Sequence, residues 1–560
     1  MPNRVVLGLL AAAAAAAADD GTRPYFEWPY PDRRNDNRQG RVYLDPSTQN
    51  IPRAAAHRGF RPPSPRIPEV FDLFLGFPSY RDSVRCGYTL WTAYARAAHP
   101  DRVHAGVIDQ IVDGEDTGCL EEYCKLAHAT WPTETCKHRE LIQLTVLDAR
   151  KSTGPVPIRA RMQQFIQDEE FCLTVDAHMQ FLPNWDIELV KDWARADNEM
   201  AVLSTYPPGY DKIGPNLTVP AADNAHLCVF GGHEDHTEMP WFSRQVIHRA
   251  EVPQMAPFWG GCLSFNKCHA EKRAPVDPRL PWVFIGEEYV RAMQLWTQGY
   301  DIYSPSRHGM VIFHNETKGD GAMKGNFWAN AGNFPNQYTE SSQSYTRLKM
   351  VLGFPMDKAS VADVTDLNVY YPRKVRSLDA FLNFTGLSNV DVQRDRWQCE
   401  QMHWVPYDVP ELVEDILPGY SMRQSASLAN ASTGDVGHVV QDAVAAANAN
   451  LVATEHEILR LVQANAALLR QADNGAKAER DDKLLAAWKD AEANLAARDA
   501  KQAEATAALL EDVRIQLVHL KESTNGNRGI AVMAEYKEIV LLQAFVVVAA
   551  IVYCVWRSKN

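Results

Sequence analysis

The sequence predicts an α/β fold on a mainly parallel sheet, followed by a helical stalk and a C-terminal transmembrane helix. Three observations carry this. Between Val70 and His314 short apolar runs alternate with segments of helical spacing, as in strands joined by crossover helices. Several of these runs end abruptly in polar residues, as strands do when a site lies at their carboxyl ends. Beyond Ser421 the composition turns to Ala, Glu, Lys, Gln and Leu, which favours helix.

In chain order, Val70–Pro78 reads as a first strand and Ser79-Tyr-Arg-Asp82 as the turn after it. Cys86–Ala98 has helical spacing, with Leu90, Tyr94 and Ala97 on one side. Val103–Asp109 is a second strand, Leu141–Leu147 a third, and Ile158–Ile166 a helix. Phe171–Val175 is an unbroken apolar run, the mark of a strand buried on both faces. A short helix follows Trp185-Asp186, and then the strand Ala201–Thr205, stopped by Tyr206-Pro-Pro-Gly-Tyr210. Phe258–Phe265 and Trp282–Glu288 are apolar-to-polar junctions, the second read as a strand opening the helix Tyr289–Gln298. Asp301–Ser304 and Met310–His314 are late strands. Residues 69–334 thus form the main body and 335–420 its extension.

The flanks read differently. Residues 1–18 have one early Arg4 and an apolar run with an Ala-x-Ala site, the layout of a signal peptide. Residues 19–68 are rich in Pro, Arg, Asn and Asp and read as an extended linker. Residues 421–530 form the stalk, whose apolar stripe of Leu459, Val462, Leu468 and Leu469 could pair two copies as a homodimer. Residues 539–556 are apolar except for Gln543 and long enough to span a bilayer about 30 Å thick, and 557–560 form a basic cytoplasmic tail. The expected location is a membrane of the secretory pathway, the Golgi, with the body in the lumen. Sequons at Asn216, Asn315, Asn383 and Asn430 agree with that. Ten cysteines fit an oxidising compartment, and with Cys554 in the span an odd nine remain, so at least one thiol is free or pairs between chains. A net charge of −13 argues against a nucleic-acid surface.

The chemistry centres on Val175-Asp176-Ala177-His178. In a strand, side chains two apart share a face, so one divalent cation could touch both Asp176 and His178. Asp109 ends the second strand and His314 a later one, on the same rim.

Ser79-Tyr-Arg-Asp82, His99-Pro-Asp-Arg-Val103, Gly154-Pro155 with Arg159, and Val175-Asp-Ala-His-Met-Gln-Phe181 with Trp185-Asp186 appear in this order. Thr205-Tyr-Pro-Pro-Gly-Tyr210 and Phe284-Ile-Gly-Glu-Glu288 follow, then Leu295-Trp-Thr-Gln-Gly-Tyr-Asp301. Together they resemble the polypeptide α-N-acetylglucosaminyltransferases of glycosyltransferase family 60, themselves similar in pattern to mucin-type polypeptide N-acetylgalactosaminyltransferases. The resemblance covers roughly Val70 to Phe334. It implies a GT-A fold with a Rossmann-like sheet, a UDP-N-acetylglucosamine donor, a divalent metal and retention of anomeric configuration. The implied acceptor is a Ser, Thr or hydroxyproline hydroxyl of a protein. By this match Asp176, His178 and His314 hold the metal. The chain departs from the pattern in its C-terminal anchor, in Ala177 where Ser is common, and in Val156-Pro-Ile158 before Arg159; the stalk lies outside the match.

A carboxylate with imidazoles suits Mn2+ better than Mg2+, which prefers oxygen ligands. Arg81 and Arg159 are candidate diphosphate or uridine contacts, or else salt-bridged surface arginines. Ser79 and Asp109, on the same rim, are further candidate donor contacts. Of Glu287 and Glu288, one accepts a hydrogen bond from sugar or acceptor, and the other serves a helix N-terminus. Trp259, Gly260 and Gly261 are an acceptor-side wall or a buried turn. His233 and His236 suggest a second metal site, though their breaker-rich context favours a solvated loop. Cys119, Cys124, Cys136 and His138 lack tight Cys-x-x-Cys pairs, so disulfides are expected rather than zinc. The rival to an enzyme is a catalytically silent sugar-binding or scaffold protein.

Overall fold

A computed structural model of the chain describes residues 22–28, 40–218, 224–315, 324–356 and 362–423. Its contacts divide the chain into residues 1–436 and residues 437–560, and all described residues lie in the first unit. The expected signal peptide, almost all of the stalk, the transmembrane segment and tail, Asn430 and Cys554 lie outside the described residues. Among the described residues no helix is long and apolar enough to cross a membrane.

Residues 19–68, expected as an extended linker, are folded onto the body where they are described. They carry β1 (Tyr25–Trp28) and β2 (Gly40–Tyr43), an antiparallel pair with Phe26 opposite Val42. Phe26 and Leu44 are buried in a small core with Cys228, Ile247 and Cys399. The segment has no apolar periodicity because its strands are completed by distant chain rather than by a core of their own.

The first half of the body runs β3 (Leu73–Tyr80), α1 (Ser83–Arg96), β4 (Val103–Ile111), α2 (Cys119–Thr130), β5 (Ile142–Asp148), α3 (Pro155–Met162) and β6 (Phe171–Val175). Strands β3, β4, β5 and β6 pair in parallel. β6 is buried at all five positions, as its unbroken apolar run requires. Ser79 and Tyr80 continue β3 rather than forming the expected turn. α2 was not foreseen. Its acidic start hides the periodicity, and it docks on α1 at Gly87, where a Cβ would come within 2.6 Å of the Tyr123 backbone nitrogen.

The second half runs β7 (Met179–Phe181), α4 (Trp185–Arg195), β8 (Ala201–Ser204), β9 (Asn224–His233), β10 (Pro240–His248), β11 (Gln254–Met255), β12 (Leu263–Lys267), α5 (Cys268–Arg273), α6 (Glu287–Thr297), β13 (Asp301–Ser304) and β14 (Ile312–His314). The eight-stranded sheet has the order β11-β13-β8-β12-β6-β3-β4-β5. It is mixed and largely parallel rather than uniformly so: β12 runs antiparallel to both β6 and β8, and β11 antiparallel to β13. β12 was expected only as a junction ending at Phe265. Trp282–Ile285 is likewise not a strand but a turn-rich approach to α6, with Trp282 at φ 66. β9 and β10 form a hairpin that joins β1 and β2 in a second sheet of four antiparallel strands, and β14 pairs with β7.

Residues 335–420, read as an extension of the body, belong to the same unit. Asp301 of β13 and Arg376 form a fully buried ion pair at 2.9 Å, and Arg376 lies 4.5 Å from the Trp296 ring centre. Eight described cysteines form four disulfides, Cys86–Cys119, Cys124–Cys136, Cys172–Cys268 and Cys228–Cys399, and Cys262 is free. Zinc at Cys119, Cys124 and Cys136 is thereby excluded.

Candidate functional site

The site lies at the carboxyl ends of β3, β4 and β6. β6 stops at Val175, and Asp176, Ala177 and His178 form the bend before β7. The expected strand spacing therefore does not hold for Asp176 and His178, yet they still converge. β14 pairs with β7 so that His314 stands opposite Met179, one residue from His178. Asp176, His178 and His314 each offer a ligand atom, and these lie within 4.8 Å of one another. The two imidazoles meet edge to face with centroids 4.6 Å apart. Ligands about 2.2 Å from one ion are at most about 4.4 Å apart, so the set fits a cation after closing by a few tenths of an ångström. The ring of His178 presents Nδ1 to Asp82 Oδ2 at 2.9 Å, which leaves Nε2 as the nitrogen available to a cation.

Beside this cluster Arg159 reaches in from α3. Its NH2 group donates to Asp176 Oδ1 at 3.3 Å and to the Gly261 carbonyl at 3.0 Å. Its Nε lies 2.9 Å from Glu287 Oε1, an ion pair without well-aligned hydrogen-bond geometry. Arg159 is 6% exposed, so this is a buried cation between two acids, not a surface arginine. Burial pushes the Glu287 carboxyl up, against the pull of Arg159.

Glu288, the next residue, faces another way. Its Oε1 accepts the Gly261 amide at 2.8 Å and its Oε2 accepts the Tyr206 hydroxyl. Burial drives its carboxyl up to about 7 despite those bonds. Gly261 is thus gripped at its N–H by Glu288 and at its carbonyl by Arg159. Gly260 lies under the Tyr206 ring, where a Cβ would come within 2.8 Å of Cε1. Trp259 is 3% exposed and donates to Ser264 Oγ at 2.9 Å, so it packs inward and is no exposed wall. Cys262 completes this turn beside Asp176, and burial pushes its thiol up.

On the neighbouring strands Asp109 stands in register with Ser79, and both are fully buried. Asp109 Oδ2 accepts the Cys119 amide at 2.7 Å, while Oδ1 has only the Ser79 hydroxyl near it, without well-aligned hydrogen-bond geometry. Burial raises the Asp109 carboxyl to about 6. Arg81 is turned elsewhere: it pairs with Asp116 at 2.8 Å and Glu115 at 2.7 Å. Burial alone would raise Asp116, but Arg81, the Val112 amide and Lys324 hold it at about 2. His233 is engaged at both ring nitrogens, by the Glu238 carbonyl at 2.6 Å and Asp395 at 2.9 Å. Among the described residues no metal-ligating group of three forms at the His233–His236 loop.

Sequence reasoning missed Asp82, Arg85 and Tyr206 as site residues. Asp82 and Tyr206 stood inside quoted motifs, and the only signal for Arg85 was its spacing of three from Asp82.

The family model described as Glycosyltransferase (GlcNAc) matches residues 126–391, a span holding Arg159, Asp176, His178, Glu287, Glu288 and His314. That match supports a glycosyltransferase enzyme. No curated protein matches the chain. Among solved structures, one of GalNAc-T7 with UDP, GalNAc and Mn2+ is 14% identical with a TM-score of 0.35, over 50% of this chain and 49% of that one. The mannosyltransferase PcManGT from Pyrobaculum calidifontis, in complex with GDP-Man and Mn2+, is 12% identical with a TM-score of 0.31, over 69% of this chain and 83% of that one. S. aureus TarS is 12% identical with a TM-score of 0.28, over 54% and 46%. The chain thus spans about half the length of the first of these structures, 49%.

Proposed function

We propose that this chain is a metal-dependent, retaining glycosyltransferase of GT-A type that moves N-acetylglucosamine from UDP-N-acetylglucosamine to a Ser, Thr or hydroxyproline hydroxyl of a protein. The observation that carries this reading is the convergence of Asp176, His178 and His314 beside a buried Arg159–Glu287 pair. The nucleoside diphosphate leaves as a concentrated anion. Mn2+ held by the three ligands would supply the electrostatic stabilisation of that leaving group.

The protein's own residues supply the rest. Arg159 NH1 is buried and makes no hydrogen bond within the protein, which leaves a donor for a diphosphate oxygen. Asp109 Oδ1, whose neighbour Ser79 is not well aligned to it, keeps acceptor capacity that suits the imide N–H of a uracil. Glu287 is the carboxylate with acceptor capacity left for a sugar hydroxyl, since both oxygens of Glu288 are taken by Tyr206 and Gly261. In the transfer the bond from the anomeric carbon to the diphosphate oxygen breaks and one to the acceptor oxygen forms. The acceptor proton passes to the departing phosphate, so no separate base is required.

The same reading keeps the chain in the secretory lumen, anchored by residues 539–556. Four disulfides in the described body accord with that compartment. The test is turnover of UDP-N-acetylglucosamine with Mn2+ on Ser/Thr-rich and hydroxyproline peptides, followed by mass spectrometry. Full turnover by an Asp176→Asn His178→Ala variant would sink the metal role. Donor binding without transfer or hydrolysis would favour a silent sugar-binding protein.

A further inference from the structure

We infer that Asp82 and Arg85 form a brace that orients the His178 imidazole and anchors the backbone beside His314, and thereby sets the cluster's affinity for a divalent cation. This rests on the metal reading of Asp176, His178 and His314 but names residues outside the ligand set. Arg81, at φ 48, bends the chain out of β3 so that Asp82 stands at the N-terminus of α1, with Arg85 one turn on. Asp82 is 3% exposed and Arg85 8%.

The contacts form one circuit. Arg85 holds Asp82 through two bonds, Nε to Oδ1 at 2.7 Å and NH2 to Oδ2 at 2.9 Å. Asp82 Oδ2 faces His178 Nδ1 at 2.9 Å. The third Arg85 nitrogen donates to the Asn315 carbonyl at 2.9 Å, directly after His314, and the Asn315 amide donates to the His178 carbonyl at 2.7 Å. One guanidinium therefore fixes the carboxylate that orients the first histidine and the backbone that carries the second. With Nδ1–H given to Asp82, the free lone pair of His178 is on Nε2, where a cation can use it. Because Arg85 balances Asp82, the brace adds no net buried charge. The His178 imidazole cannot swing away without breaking its bond to Asp82, and the backbone that carries His314 cannot shift without breaking the bond from Arg85 to the Asn315 carbonyl.

The experiment is calorimetric titration of Mn2+ into the metal-free full chain, without sugar, for wild type, Asp82→Ala, Asp82→Asn and Arg85→Lys, with circular dichroism and thermal melts as fold controls. Loss of an outer partner of a ligating histidine weakens metal binding about 10- to 100-fold, and that is the loss expected for Asp82→Ala. Asp82→Asn keeps an acceptor oxygen toward Nδ1, so it should fall between wild type and Asp82→Ala. Arg85→Lys, which cannot reach all three oxygens, should also weaken binding. Should Asp82→Ala fail to fold, Asp82→Asn decides alone. A folded Asp82→Asn protein with wild-type affinity overturns the brace. Wild-type protein that binds no Mn2+ overturns the metal reading with it; wild-type binding and turnover alongside unaffected variants overturn the brace alone.

Discussion

Tyr206 donates its hydroxyl hydrogen to one oxygen of Glu288, while the Gly261 amide occupies the other at 2.8 Å. Three chain segments far apart in sequence meet on that carboxylate: the loop after β8, the glycine turn before β12 and the start of α6. The segment starting at Tyr206 also touches the other side of the site, for Pro208 accepts the His314 amide at 2.9 Å. A shift of Tyr206 would therefore be felt both by Glu288 and by His314 of the candidate cation cluster.

The first expected outcome is a pH effect. Burial raises Glu288 to about 7, and Tyr206 and Gly261 pull against it; Glu287 and Arg159 also act on it. The acid's folded value lies above its ordinary 4.5, so between 4.5 and about 7 the folded state holds a proton that the unfolded state has lost. This group's contribution to stability accordingly falls as pH rises through that window. Tyr206→Phe removes a hydrogen bond to the charged form, worth about 1.5–3 kcal/mol, so the midpoint should rise by about one pH unit or more. Thermal melts of wild type and Tyr206→Phe across about pH 4 to 8 measure this. An unchanged dependence of stability on pH would mean that Tyr206 does not hold the charged form of Glu288.

Gly260→Ala should reproduce part of that effect from the opposite side. A Cβ there would lie 2.8 Å from Tyr206 Cε1 and 2.9 Å from Leu227 Cδ1. Overpacking of this kind costs about 1–3 kcal/mol. The expected result is a lower melting temperature together with a pH profile displaced in the same direction as that of Tyr206→Phe. Loss of stability with no displacement would mean that Leu227 gives way instead of the ring.

These relationships show what was legible in the sequence. Phe171–Val175 and Asp301–Ser304 form strands at the expected bounds, because a continuous or cleanly bounded apolar run needs no partner to be recognised. The candidate cation cluster was legible in two steps: Asp176 and His178 follow such a run two residues apart, and the family resemblance added His314, which ends a later one. What was hidden depends on pairing across the chain. β12 inserts antiparallel between β6 and β8, a choice that its own five residues do not encode. β1 needs β10 to become a strand. Glu287 and Glu288 were adjacent and alike in sequence, yet helix geometry sends one to Arg159 and the other to Tyr206. The sequence left Arg81 open between a phosphate contact and a salt-bridged arginine, because its partners Asp116 and Glu115 lie more than thirty residues away.

Asp109→Asn should separate stability from binding. Burial raises Asp109 to about 6, so its carboxylate form is unfavourable in the fold, and its contribution to stability falls as pH rises from 3.8 toward about 6. An asparagine can keep its oxygen toward the Cys119 amide and place its NH2 near Ser79. At neutral pH the variant should be more stable by about 1–3 kcal/mol, with a flatter dependence on pH in thermal melts. Its donor affinity should fall, since an amide NH2 faces where Oδ1 stood. A variant that binds UDP as wild type does would remove Asp109 from the nucleoside contacts.

Arg159 yields the most severe expected loss. Its guanidinium contacts Asp176, Glu287 and the Gly261 carbonyl together. Arg159→Ala would leave Glu287 buried without its partner, and breaking a buried pair in this way costs about 3–5 kcal/mol. Glu287→Gln in the same chain removes the stranded charge, so the double variant should be more stable than Arg159→Ala alone. Denaturant unfolding of the two single variants and the double variant forms the cycle that isolates the coupling. Additive losses would mean that the two side chains do not depend on each other. Turnover should stay lost in the double variant even where stability returns, because the diphosphate would still lack its donor.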